Sequence, residues 1–127
     1  LSFEAAHTQI ASAQSFIRSA SKGSVNQTRF FRPPYGDTDY KTLLAIEDAH
    51  LYPLFWNIDS RDWDAKSTQQ LVQRTLAAAE EMDGGIVLLH DIHDVTAQGL
   101  SDLIVALRAK RFGFSIWNGR AFVRQPD

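Results

Sequence analysis

Apolar positions along this chain alternate between two patterns, helical stripes and short strand-like runs. Phe3, Ala6, Ile10, Ala13, Ile17 and Ala20 fall at steps of three and four, the stripe of an amphipathic helix. Ser2 stands before it as an N-cap, Glu4 suits its positive end, and Gly23 stops it. Thr28 to Arg32 reads as a short strand, cut by Pro33-Pro34 because proline cannot donate to a ladder. Asp37 or Thr38 is then expected to start a helix through Leu43, Leu44 and Ile46. Residues 51 to 59, "LYPLFWNID", form the next expected strand. Ser67 and Gln70 have capping-box spacing and open a third helix, with Leu71, Val72, Thr75, Leu76, Ala79 and Met82 on one face. In "GGIVLLHD", residues 84 to 91, four aliphatic residues in a row read as a strand covered on both faces. Thr96 to Lys110 reads as a helix with Leu100, Leu103, Ile104 and Leu107 inward and Lys110-Arg111 at its negative end. "FGFSIW" makes a fourth strand, and Asn118-Gly119 turns the chain toward a short tail.

A helix, three strand-helix pairs and a last strand argue for an α/β fold with parallel strands and outer helices, either a barrel or a doubly wound sheet. No repeat, low-complexity segment or linker divides residues 1 to 127, which fit one domain with a real core. A net charge of -2 without a basic block gives no footprint for nucleic acid. No apolar run approaches the roughly 20 residues that a membrane-spanning helix needs. The absence of cysteine excludes disulfides and thiolate metal sites.

The chemistry gathers where the strands end. The first expected strand ends in Arg32-Pro-Pro-Tyr35-Gly36, the second in Asp59-Ser-Arg-Asp62-Trp63, and the third in His90-Asp91. Parallel-sheet folds place their active sites at this C-terminal edge. A histidine there can act as a general acid near neutral pH, and a neighbouring carboxylate fixes its tautomer. Arginine can grip a second carboxylate, and the stiff Pro-Pro loop can present backbone N–H groups to an oxyanion. Trp63 can wall a groove and stack on a sugar ring. Asp62 and Asp64 read as solvated or capping residues, and His7 and His50 as non-functional. His90-x-x-His93 has the look of a metal pair, but it straddles a strand end rather than a helix face, which argues against a shared ion.

"FRPPYG", "NIDSRDW" and "IVLLHDIH", in that order and spacing, resemble the third, fourth and fifth motifs of the polysaccharide deacetylases, carbohydrate esterase family four. The resemblance implies the C-terminal part of a distorted (β/α) barrel and metal-dependent removal of N- or O-acetyl groups from peptidoglycan, chitin-type or xylan-type sugars. It makes His90 the general acid, with Asp59 tuning it, and Arg32 the residue that orients a catalytic-base aspartate. The Tyr35 backbone N–H would help to stabilise the oxyanion, Trp63 would wall the groove, and Leu88 would line the pocket for the acetyl methyl. The family's first two motifs, Thr-Phe-Asp-Asp and His-Ser/Thr-x-x-His, supply the base and the ligands of a divalent metal, zinc by resemblance, and neither is in this sequence. Residues 1 to 10 resemble the stretch after the second motif. The 127 residues are therefore expected to be the C-terminal portion of a catalytic domain, with no metal ligands of their own. Alone they would be insoluble or molten and inactive; their partner would be the N-terminal segment of the same domain. Substrates of this kind imply a periplasmic, extracellular or cell-surface protein. Two other readings stay open: a glycoside hydrolase using Asp59 with Asp62 or Asp64, and a non-catalytic carbohydrate-binding relic.

Overall fold

The computed structural model describes residues 1–24, 29–118 and 120–126. The chain divides into two units, Leu1–Phe55 and Trp56–Asp127.

In the first unit, helix α1 spans Phe3–Ala20, and the Ser2 hydroxyl accepts the Ala5 N–H at 3.2 Å. Its stripe buries Ala6 and Ile10 against Ala45 and Ile46 of α2 (Tyr40–Asp48) and against Leu51. The cap of α2 is Asp39 rather than Asp37 or Thr38. Its carboxylate accepts both the N–H and the hydroxyl of Thr42, at 2.7 and 2.8 Å, as a side chain three residues upstream should. Strand β1, Phe30–Phe31, pairs in parallel with β2, Tyr52–Pro53; Thr28, expected to begin it, lies outside the described residues. His7 pairs with Asp48 at 3.2 Å and stacks on Phe3, and His50 takes φ 56° in the turn that closes α2.

The strand expected over residues 51 to 59 is two strands. Tyr52 and Leu54 give their N–H groups to the Arg29 and Phe31 carbonyls, at 2.9 Å each, so Pro53, which has no N–H, falls where the chain faces away from β1; β3 then resumes at Ile58–Asp59 in the second unit. There β3 runs parallel to β4, Val87–Leu88, with Ile58 opposite Val87 and Asp59 opposite Leu88. The Asn57 carboxamide accepts the Ile86 N–H at 2.7 Å and so ties the entry of β3 to that of β4. Gly85 sits at φ 154°, and a Cβ built on it would overlap that carboxamide. Gly85→Ala is therefore expected to cost about 1–3 kcal/mol, through backbone strain and loss of the Asn57 contact. A chemical-denaturation midpoint equal to that of the wild type would contradict this.

Helix α3, Thr68–Glu81, follows the Ser67 cap, whose hydroxyl accepts the Gln70 N–H at 3.1 Å; Gln70 in return accepts the Lys66 N–H at 2.7 Å. Leu71, Thr75 and Ala79 are buried on its inner face. Met82, expected there too, is half exposed because the helix ends one residue before it. Helix α4, Asp94–Ala109, starts two residues before Thr96, and His93 occupies its N-cap without a side-chain capping bond. Leu103 and Leu107 join Ile58 and Ala79 in the core, but Leu100 is exposed. The facing position belongs instead to Gly99, where a Cβ would lie 3.4 Å from the Leu71 side chain and 3.6 Å from the Thr68 Cα. The tail does not leave the fold: β5, Ser115–Trp117, and β6, Phe122–Arg124, form an antiparallel hairpin. The Asn118 side chain shapes its turn by accepting the N–H groups of Arg120 and Ala121; Gly119 lies outside the described residues. The expected alternation of strands and helices is present. Among the described residues the strands form three two-stranded ladders, with no closed barrel.

Candidate active site

Three interactions aim the loop after β3. Ser60, fully buried, donates its hydroxyl to the Leu88 carbonyl at 2.6 Å and pins the end of β3 to β4. The Asp59 carboxylate accepts the Arg61 N–H at 2.9 Å, closing a tight turn on which Arg61 takes φ 50°. From α3, the Arg74 guanidinium reaches the carbonyls of Ser60 and Arg61, at 3.4 and 3.1 Å. Residues Asp62–Asp64 then form a single 3₁₀ turn, which carries Asp62 inward to 1% exposure.

The buried carboxylate meets His90, two residues beyond the end of β4. Asp62 Oδ1 lies 2.8 Å from His90 Nδ1 and accepts the Trp63 N–H at 3.0 Å. Oδ2 accepts the His90 N–H at 2.5 Å and the Thr96 hydroxyl at 2.7 Å. Burial pushes the Asp62 carboxyl up. The His90 ring, the Thr96 hydroxyl and the His90 N–H outweigh that and hold it below the ordinary value of 3.8. An ionised carboxylate only accepts hydrogen bonds, so His90 Nδ1 carries a proton and Nε2 is left to exchange one.

This arrangement corrects the reading of the two aspartates. Asp62, expected to be solvated or capping, is the partner of the histidine; Asp59, expected in that role, spends its carboxylate on the Arg61 N–H. The reason is geometric. Asp59 lies on the ladder itself, opposite Leu88, whereas the left-handed turn at Arg61 swings Asp62, the next residue, beneath His90. Arg74, Ser60 and Thr96 were also missed. Thr96 falls in the first turn of α4, six residues after His90, and that spacing is its only mark in the sequence.

Trp63 is 57% exposed, and the Arg61 guanidinium lies 5.2 Å from its ring centre, so its indole is open to a ligand. Leu88 is buried on β4. Arg32 and Tyr35 belong to the first unit. Arg32 is exposed, and Tyr35, 97% exposed at φ 58°, stands in the turn Pro34–Gly36. The N–H groups of Gly36 and Asp37 close that turn on Pro33 and Pro34. Tyr35 is the middle residue of that turn, and its N–H is not one of the two that close it.

His93 meets the His90 ring edge-on at 5.8 Å, and Asp62, His90 and His93 each bring a possible ligand atom within 4.8 Å of the others. The trio does not fit a resident cation. Asp62 already accepts four N–H or O–H donors, about the full capacity of a carboxylate, and one of them is the His90 ring itself.

No protein-family model matches the chain. The peptidoglycan-N-acetylglucosamine deacetylase PgdA of Listeria monocytogenes is 32% identical over 102 residues, 77% of this chain and 21% of that protein. The chitooligosaccharide deacetylase of Azorhizobium caulinodans is 32% identical over 123 residues, 93% of this chain and 56% of that protein. The family 4 carbohydrate esterase of Streptomyces lividans, solved in complex with acetate, shares the fold at a TM-score of 0.77 and 27% identity, over 100% of this chain and 64% of that one. In sequence and fold the chain is similar to the polysaccharide deacetylases of carbohydrate esterase family four. It spans only part of each of these relatives.

Proposed function

We propose that this chain supplies the acid side of a deacetylase active site that removes acetyl groups from an acetylated polysaccharide. The observation that carries this reading is the buried Asp62 carboxylate on His90 Nδ1, at the end of a parallel ladder. It leaves His90 Nε2 to protonate the sugar nitrogen or oxygen as its bond to the acetyl carbon breaks. Asp62 holds the ring in one tautomer and stabilises its cation. The Tyr35 N–H donates to the oxyanion of the tetrahedral intermediate, and Arg32 orients the aspartate that deprotonates the attacking water, an aspartate from outside these 127 residues. Leu88 lines the pocket for the acetyl methyl, and Trp63 offers an open ring face to the sugar. The divalent metal of the complete domain, zinc, would polarise the acetyl carbonyl; its ligands also come from outside this chain.

Peptidoglycan, chitin oligomers and acetylated xylan are the substrate classes in view, and they set the protein in the periplasm, at the cell surface or outside the cell. No helix of the described residues is long and apolar enough to cross a membrane. The glycoside-hydrolase reading loses ground on the same geometry. It needs two carboxylates free to face a substrate, but Asp59 is held by the Arg61 N–H, Asp62 is buried with four donors on it, and Asp64 is paired with Arg61 and Lys66.

The test is to incubate the complete domain with acetylated chitooligosaccharides and xylo-oligosaccharides and to measure free acetate against new reducing ends. Acetate without reducing ends is expected; reducing ends without acetate would make it a glycosidase. In the same assay Trp63→Ala should raise KM several-fold with a smaller change in kcat, the mark of lost uniform binding. A fall in kcat at unchanged KM would remove Trp63 from the groove wall.

A further inference from the structure

Among the described residues the Asp62 carboxylate has four donors, and they differ in kind. Two are main-chain N–H groups, of Trp63 and His90, and one is the His90 ring that the carboxylate serves. The fourth is the Thr96 hydroxyl, the only side-chain donor that is not part of the proton-transferring pair, and it comes from a different element, the first turn of α4. Thr96 is 5% exposed, so the bond is shielded from water that could replace it. We infer that Thr96 is a positioning residue for the acid: its hydroxyl, on Oδ2 at 2.7 Å, fixes the rotation of the Asp62 carboxylate so that Oδ1 faces His90 Nδ1.

The physical reason lies in the shape of the carboxylate. Rotation about its Cβ–Cγ bond exchanges the two oxygens and breaks the pairing with the ring. Main-chain donors follow the loop, whereas Thr96 ties Oδ2 to a rigid helix. Without that hydroxyl, Oδ2 keeps one donor in a buried place, where an under-satisfied oxygen is costly. The carboxylate then turns, and the Nδ1–H tautomer of His90 loses its anchor. Asx and hydroxyl caps ordinarily serve a helix's own N–H groups. Here the first-turn hydroxyl points to another segment, and the N-cap residue, His93, makes no side-chain capping bond.

The inference rests on the proposed deacetylase reading for its kinetic consequence but not for its structural one, and two readouts keep them apart. The first is the ¹⁵N spectrum of the His90 ring in the complete domain. Wild type and Thr96→Ser should show a single Nδ1–H tautomer. Thr96→Val, nearly isosteric but without the donor, should show a mixture with Nε2–H. The second is acetate release from an acetylated chitooligosaccharide. Thr96→Val should lose about tenfold in kcat at nearly constant KM, and Thr96→Ser should restore it to within about twofold. The pH–rate profile of Thr96→Val should also shift, which a purely structural loss would not cause. Thr96→Ala is run beside it in case the valine disturbs packing. A single Nδ1–H tautomer in both Thr96→Val and Thr96→Ala overturns the inference, whatever the activity. A single Nδ1–H tautomer in wild type and a mixture in Thr96→Val, in a domain whose wild type releases no acetate, leaves the positioning role standing and sinks the deacetylase reading instead.

Discussion

His90→Gln in the complete domain should lower acetate release from an acetylated oligosaccharide by about 10²- to 10⁴-fold, the range over which a positioned general acid contributes. Glutamine retains the backbone N–H that Asp62 accepts, so the loop after β3 should keep its place and sugar binding should survive. What disappears is the ring whose Nδ1 is anchored and whose Nε2 carries the exchangeable proton. A loss below tenfold, measured at saturating substrate, would take the acid role away from His90.

Asp62→Ala is expected to do damage on two levels. It removes the acceptor of four donors at a site with 1% exposure and leaves the Thr96 hydroxyl and the His90 ring unpaired. Breaking a buried, hydrogen-bonded charge in this way costs about 3 kcal/mol, and acetate release should fall with the tautomer it no longer fixes. The pH dependence has a definite sign. Hydrogen bonding holds the folded-state Asp62 below its ordinary 3.8, so its contribution to stability is fully present above that value. The contribution is lost as pH falls through the lower, folded-state value. The gap in melting temperature between wild type and Asp62→Asn should therefore stay constant at neutral pH and narrow below about pH 4. A gap that is unchanged at low pH would contradict an ionised Asp62.

The helices were legible because their signals are local. Ser2 and Ser67 cap α1 and α3 as their spacing predicts, and the stripes through Ile10, Leu71 and Leu103 are the buried faces. The error at Leu100 came from tertiary contact. Leu100 fits the stripe of α4, but the close approach of α3 at Gly99 reserves that face for a residue without a side chain. The strands are only two or three residues long, so periodicity over residues 51 to 59 could not show the break after Pro53, nor the return of the tail as β6.

At the site, the motifs located the loop after β3 and His90 but not which aspartate meets the histidine. In a sequence, an aspartate amid Ser, Arg and Trp looks solvated, since unpaired acids are rarely buried. Only the left-handed turn at Arg61, held by Asp59 from one side and by Arg74 from another, brings Asp62 beneath the ring. Those contacts join residues up to 34 positions apart, as Thr96 and Asp62 are, and no local pattern encodes them.

The claim that His90, set by Asp62, delivers a proton to the departing sugar is tested most directly by varying the leaving group. A sugar amine or alkoxide departs poorly without a proton, whereas the phenolate of an aryl acetate needs none. Acetate release by wild type and His90→Gln should therefore be compared on an acetylated chitooligosaccharide and on 4-nitrophenyl acetate, with the complete domain in each case. The expected result is a loss of about 10²-fold or more on the sugar and less than tenfold on the aryl ester. Equal losses on both substrates would contradict it, and would mean that His90 supports the fold or the attack rather than the departure of the sugar.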